Sequence, residues 1–171
     1  GSEMCIRDRG YILYQGNFHN GKKNGFGSFY YKDSKQVRFR GFFQDDVFHK
    51  YGIEYYPNGK KMYEGGFLEG SWNGLGIFYL ENGNKYYEGE FSENSFYGTG
   101  KLFFKNRKYY EGMFHKNIPH KLGVYFYPES ERIRYRGEIK KGVPDGFGVF
   151  FTKNTNIFYQ GFHKKGCPNG Y

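Results

Sequence analysis

Aliphatic side chains are scarce in this chain of 171 residues. Hydrophobic residues make up 37% and aromatics alone 23%, which leaves 14% for Leu, Val, Ile, Met, Ala and Cys together. A conventional Leu/Val/Ile core is therefore excluded, and apolar packing has to be built from Tyr and Phe. Cysteine is nearly absent. Cys5 and Cys167 form neither a CxxC pair nor the even framework of small secreted domains, which favours a reducing, intracellular setting. No apolar run approaches the roughly 18 residues that span a bilayer, and the N-terminus lacks the apolar stretch of a signal peptide. The expectation is a soluble or peripherally bound, cytoplasmic, cytoskeletal, ciliary or membrane-associated protein.

Catalytic constellations are missing too. The sequence has no metal-ligand spacing, no nucleophile elbow and no phosphate-cradling loop. Among five histidines, His19 matches His115 and His49 matches His120 in repeat position, and turn exposure accounts for them, while His163 replaces a Phe. Glu64, Glu88 and Glu111 lie a full repeat apart, about 10 Å along a sheet, too far for a paired-carboxylate site and better read as a solvated or cross-strand ladder. The chain is expected not to be an enzyme: no catalytic residue, metal or cofactor is assigned.

What the chain has in abundance is glycine, 27 residues, about double average usage, at fixed intervals. Aligned on aromatic-x-Gly, it shows seven starts: Tyr14, Phe39, Tyr63, Tyr87, Tyr110, Tyr135 and Tyr159, spaced by 25, 24, 24, 23, 25 and 24 residues. Such self-similarity is the signature of a repeat architecture. Six repeats are complete, and the seventh stops at Tyr171 without its second strand. Residues 1–13 stand outside as a non-repeat leader, possibly vector-derived in its opening Gly-Ser.

Each repeat reads as two strands. In the first, Tyr63/Gly65/Phe67 and its equivalents alternate with period two, so that two aromatics and a glycine share one face. Three residues past the Phe position comes Gly21, Asp46, Gly70, Asn94, Asn117, Gly142 or Gly166, residue types that tolerate positive φ and so mark a left-handed turn. The second strand carries Gly27, Gly52, Gly76, Gly100, Gly123 and Gly148, with the row Tyr30, Tyr55, Tyr79, Phe103, Phe126 and Phe151 on the opposite face from them. These glycines are expected to be sockets in which Tyr and Phe rings lie flat on backbone. Asn58-Gly59, Asn82-Gly83, Asn106-Arg107 and Asn154-Thr155 mark hairpin turns between repeats. The predicted fold is all-β: an elongated, single-sheet, antiparallel β-meander of tandem hairpins.

The pattern Tyr-Glu-Gly-x-Phe-x-x-Gly-x-x-x-Gly-x-Gly, as in Tyr63 to Gly76 and less completely Tyr87 to Gly100, resembles the MORN repeat, and the resemblance covers residues 14–171. It implies a β-hairpin array of the kind found in scaffolding, membrane-junction, ciliary and cytoskeletal proteins and attached to kinases and methyltransferases, with no single activity. Asp46, Lys50, Asn94 and Asn117 replace family glycines, and Pro119-His120-Lys121 departs from the pattern, so local bends or a partner contact are expected there.

Charge is uneven. The net +9 divides into +3 over residues 1–86 and +6 over 87–171, with lysines concentrated at the predicted tips of the last three repeats. Because a single sheet leaves an apolar face to be covered, the aromatic row from Tyr30 to Phe151 is assigned to a protein partner or a second copy. The reading is a non-catalytic scaffold within a larger assembly. The alternatives are acidic phospholipid bound through Lys116, Lys121, Lys140, Lys141, Lys164 and Lys165, or a regulatory module of a larger enzyme. Nucleic acid ranks below both, since the repeat already accounts for the aromatics.

Overall fold

A computed structural model describes residues 3–169. They form fifteen strands and no helix. Two compact units are distinguished: the first runs to Asn84 and takes in Ser92–Asn94, and the second holds Lys85–Phe91 and continues from Ser95. The first unit contains β1 (Glu3–Asp8), β2 (Tyr11–His19), β3 (Lys22–Tyr30), β4 (Val37–Gln44), β5 (Val47–Tyr55), β6 (Lys61–Leu68) and β7 (Ser71–Tyr79). The second is built on β8 (Lys85–Ser92), β9 (Ser95–Phe104), β10 (Arg107–His115), β11 (Ile118–Phe126), β12 (Ile133–Lys140), β13 (Val143–Phe151), β14 (Ile157–Lys164) and β15 (Cys167–Pro168). Within each unit the strands lie in sequence order in one layer with antiparallel neighbours, the hairpin meander expected.

Two residues at every hairpin tip inside a repeat lie in the left-handed region. The first of each pair, from Asn20 to Lys165, has φ of 46–52°, and the second, the anticipated Gly/Asn/Asp position, has φ of 62–86°. That is the type I′ geometry, whose twist matches that of the flanking strands. The turns between repeats differ from the expected tight Asn-Gly pair. Around Pro57-Asn58-Gly59, the Gly59 N–H donates to the Tyr56 carbonyl at 2.9 Å and the Tyr56 N–H to the Lys60 carbonyl at 2.8 Å. Pro57 fits the first corner of a type I turn, and only Gly59 takes positive φ. Lys105-Asn106, both at positive φ, make the tight form instead.

Loop size explains the uneven spacing of the repeats. The five-residue loops 56–60, 80–84 and 152–156 go with spacings of 24, and the six-residue loops 31–36 and 127–132 with spacings of 25. The Lys105-Asn106 turn, with its longer strands, gives 23. All length variation sits at this margin.

The opposite margin is clasped. Asn94 N–H donates to the Trp72 carbonyl at 3.1 Å, while its Oδ1 accepts from the Trp72 N–H at 2.8 Å. Asn117 clasps Phe96 in the same way (3.0 and 2.7 Å), as does Asp46 with Lys23 (3.0 and 3.0 Å). Where the earlier residue is Pro119 or Pro144, which lacks an N–H, the next turn carries Gly142 or Gly166, and only the backbone bond forms. The replaced glycines Asp46, Asn94 and Asn117 thus serve as local clasps, and Pro119 faces Phe114 as Lys23 faces Phe18 and Pro144 faces Ile139. Lys50 and Lys121 hold the left-handed φ that Gly25 and Gly74 hold elsewhere.

Two end segments differ from expectation. Within the leader, β1 pairs antiparallel with β2 across an Arg9-Gly10 turn of the same left-handed kind. In the last repeat β15 pairs with β14 through His163↔Pro168 and Lys164↔Cys167, so a mate for β14 begins; Gly170 and Tyr171 lie outside the described residues.

Candidate functional site

The glycine sockets are real. Glycines oppose glycines across the strands, as in Gly65↔Gly76 and Gly112↔Gly123, and the first-strand ring of the same repeat lies over each pair. A Cβ placed on Gly76 would sit 2.4 Å from the Tyr63 hydroxyl oxygen and 2.6 Å from its ring carbons. Gly27, Gly100, Gly123 and Gly148 hold Tyr14, Tyr87, Tyr110 and Tyr135 in the same way, and Gly52 holds Phe39. A second-strand ring caps the other side in three repeats: Phe48 stacks on Phe39 at 3.8 Å, Trp72 on Tyr63 at 4.6 Å and Phe96 on Tyr87 at 3.9 Å. Six of the seven first-strand rings are 0% exposed, and the seventh, Tyr159, is half-buried. Glycine floor, stacked cap and edge-on Phe thus cover this first-strand row within the chain.

Burial has an electrostatic consequence. The Tyr63 hydroxyl donates to the Gly66 carbonyl at 2.9 Å, and burial raises its pKa well above the ordinary phenol value, as for Tyr87 and Tyr110. Burial pushes Tyr125 and Tyr135 up to about 12.

Exposed apolar residues lie mainly at a different register. The residue just before the socket glycine, Phe26, Tyr51 or Leu75 in the first unit and Leu122 or Phe147 in the second, is 41% or more exposed, Leu75 reaching 74%. Sequence reasoning passed over this row, although its signal, an apolar residue directly preceding the socket glycine, was present. In the second unit a shallow trough is floored by the backbone at Gly112, Gly123, Gly137 and Gly148 and walled by Leu122, Val124, Phe147, Val149, Phe151 and Ile157, with Arg136 and Glu138 among the polar groups.

Of the row assigned to a partner, Phe151 lines this trough. Tyr30, Tyr55, Tyr79 and Phe103 are half-buried, and Phe126 is buried with the Lys108 Nζ 4.4 Å from its ring centre. Tyr30 lines a separate cleft with Tyr11 and Ile12.

The glutamates expected as a ladder are paired locally: Lys61–Glu64, Lys85–Glu88 and Lys108–Glu111 at 2.7, 2.9 and 2.8 Å. Glu64 also accepts from the Tyr51 hydroxyl at 2.8 Å, and the Lys61 and Tyr51 bonds hold its carboxyl below the usual range. Lys116, Lys140, Lys141, Lys164 and Lys165 are exposed at the hairpin tips or strand ends of the second unit, whereas Lys121, also exposed, lies within β11 opposite Ile139. His163 departs from the turn-exposed expectation, being 3% exposed inside the aromatic layer.

Comparison with known families matches the MORN repeat at residues 14–36, 39–61, 63–85, 110–132 and 135–155. These segments cover more than half of the chain and coincide with five of the seven repeats aligned on aromatic-x-Gly. Comparison with curated proteins gives no match.

Proposed function

The chain belongs to the MORN-repeat family, and on that premise we propose that its second unit is a docking module for an extended segment of a partner protein. MORN repeats are typically non-catalytic and are commonly associated with protein or membrane-lipid interaction. The observation that carries the reading is the trough: Leu122 and Ile157, both 61% exposed, and Phe147, 43% exposed, flank a floor of glycine backbone. Exposed apolar groups gathered around a concavity mark an interaction site, because their hydration is costly and a partner side chain relieves it. Arg136 lines the trough beside Glu111 and Glu138, and the lysine tips beyond it favour an apolar segment with acidic side chains towards its ends.

The test is a photo-crosslinker at Val149, identification of the adduct, and titration of the purified partner peptide. Leu122→Glu with Phe147→Glu is expected to weaken binding at least 100-fold, in line with the loss of two central apolar anchors. Unchanged affinity overturns the reading. A concentration-dependent dimer abolished by the same pair of changes assigns the trough to a second copy instead.

One observation favours a second reading for the opposite margin. Beside Lys140-Lys141 and Lys116, Val143 is 40% and Ile118 47% exposed, and apolar tips among lysines suit an anionic membrane surface. Flotation with phosphatidylserine vesicles is expected to carry the protein at low salt and to release it at high salt. No flotation at low salt, or flotation unaffected by Lys140→Glu with Lys141→Glu, ends this reading.

A further inference from the structure

One position in each repeat works as a rivet between neighbours. Phe43 stands edge-on to its own Phe39 at 5.2 Å and to Tyr14 of the preceding repeat at 5.0 Å. Phe67 does the same with Tyr63 and Phe39 (5.2 and 5.1 Å), and Phe114 with Tyr110 and Tyr87 (5.2 and 5.1 Å). In the seventh repeat this place belongs to His163, edge-on to Tyr159 at 5.0 Å and to Tyr135 at 5.5 Å, with Phe150 at 5.0 Å.

An imidazole is a poor substitute for phenyl in such a slot. His163 is 3% exposed, and neither Nδ1 nor Nε2 has a hydrogen-bond partner. A neutral ring leaves one donor and one acceptor unmet, and an imidazolium would bring two donors and a charge. The charged or titratable groups on the surrounding elements are engaged elsewhere or turned to solvent. On β12, the Glu138 carboxylate accepts the Phe147 N–H, the Tyr135 hydroxyl donates to the Glu138 carbonyl, the Arg134 guanidinium lies over the Tyr125 ring at 5.6 Å, and Arg136 and Lys140 are exposed. On β13, Asp145 accepts the Lys165 N–H. On β14, the Tyr159 hydroxyl donates to the Phe162 carbonyl and Lys164 is exposed, and on β15 Cys167 is exposed.

We propose that His163 makes the β14–β15 hairpin an acid-released element. In the closed form three aromatic rings surround the imidazole and offer no partner to either nitrogen or to a charge; in the open form water satisfies both nitrogens. Acid therefore draws the equilibrium toward the open hairpin, because the open state accommodates a proton that the closed slot has nothing to hold. The opening constant should rise severalfold between pH 7.5 and pH 5.0, the range in which free imidazoles gain a proton. That window lies above the range in which ordinary carboxylic acids titrate. Since β14 supplies Ile157 to the trough, partner binding should weaken over the same range, a consequence that rests on the docking reading above.

Hydrogen exchange on the full chain tests the switch without a partner. The hydrogen-bonded amides of residues 157–168 are followed at both pH values and divided by their intrinsic chemical rates. Severalfold greater opening at pH 5.0 is expected for the parent. His163→Phe, which restores the side chain used in the first five repeats, should be pH-independent and more protected at pH 7.5. No acid response in the parent, or the same response in His163→Phe, overturns the proposal. Acid opening with undiminished peptide binding would keep the switch and remove Ile157 from the docking surface.

Discussion

Replacing Gly76 by valine should destabilise the protein by about 3 kcal/mol, the upper end for overpacking. Even the first added carbon would stand 2.4 Å from the Tyr63 hydroxyl oxygen, closer than nonbonded atoms approach. The ring has no retreat, because Trp72 stacks on it at 4.6 Å and Phe67 stands edge-on at 5.2 Å. A comparison separates packing from backbone strain. Gly74→Ala has nothing within 4 Å of its new Cβ but imposes φ of +76° on alanine, and should cost about 1 kcal/mol. Tyr63→Ala alone should cost about 3–5 kcal/mol, and adding Gly76→Val to it should cost little more, since the clashing ring is gone. Urea midpoints followed by Trp72 fluorescence read all four variants. A parental midpoint for Gly76→Val, or simple additivity in the double variant, would disprove the socket.

Alkali should destabilise both units. A phenol whose folded pKa is raised contributes stability that is complete below the unfolded value of about 10 and is lost as pH climbs toward the folded value. Tyr87, Tyr110, Tyr125 and Tyr135 are buried in the second unit with raised values, Tyr125 and Tyr135 to about 12. In the first unit Tyr14 and Tyr63 are buried with raised values, and the less buried Tyr31, Tyr51 and Tyr56 are raised as well, Tyr51 to about 12. At pH 11 each buried tyrosine that stays protonated costs about 1.4 kcal/mol relative to pH 9. Four of them make the loss in the second unit about 5–6 kcal/mol. Hydrogen exchange resolved by unit from pH 9 to 11 measures it, and undiminished protection of the second unit at pH 11 would contradict the assignment of these phenols as buried.

Much of this fold is written in local residue chemistry, which is why it is legible. Gly21, Asp46 and Asn94 mark left-handed corners because backbone sterics allow few other residue types there, and period-two alternation places Tyr63 and Gly65 on one face. What escaped was relational. That Asn94 answers the Trp72 N–H, or that Gly142 goes with a Pro119 that has none, depends on which residues two strands bring together. His163 shows the same limit from the functional side: its replacement of Phe is visible in the alignment, but only the packing reveals that it is sealed. The exposed row Phe26, Leu75 and Leu122 was hidden by the strength of the neighbouring aromatic signal, since the eye follows rings, and the rings are largely spent on the core.

The clasped margin also gives the repeats a grammar. Asn94 and Asn117 complete their clasps only behind a residue that offers a backbone N–H, whereas Gly142 and Gly166 sit behind Pro119 and Pro144 and ask for nothing more. Repeats that look interchangeable by consensus therefore are not: moved behind Pro119, an asparagine would point its amide at a pyrrolidine ring and lose its partner. A shuffled array that set Asn94 or Asn117 behind a proline would keep every socket and every hairpin and still mismatch at that seam, whereas a glycine turn, as Gly70 behind Phe48, fits either neighbour.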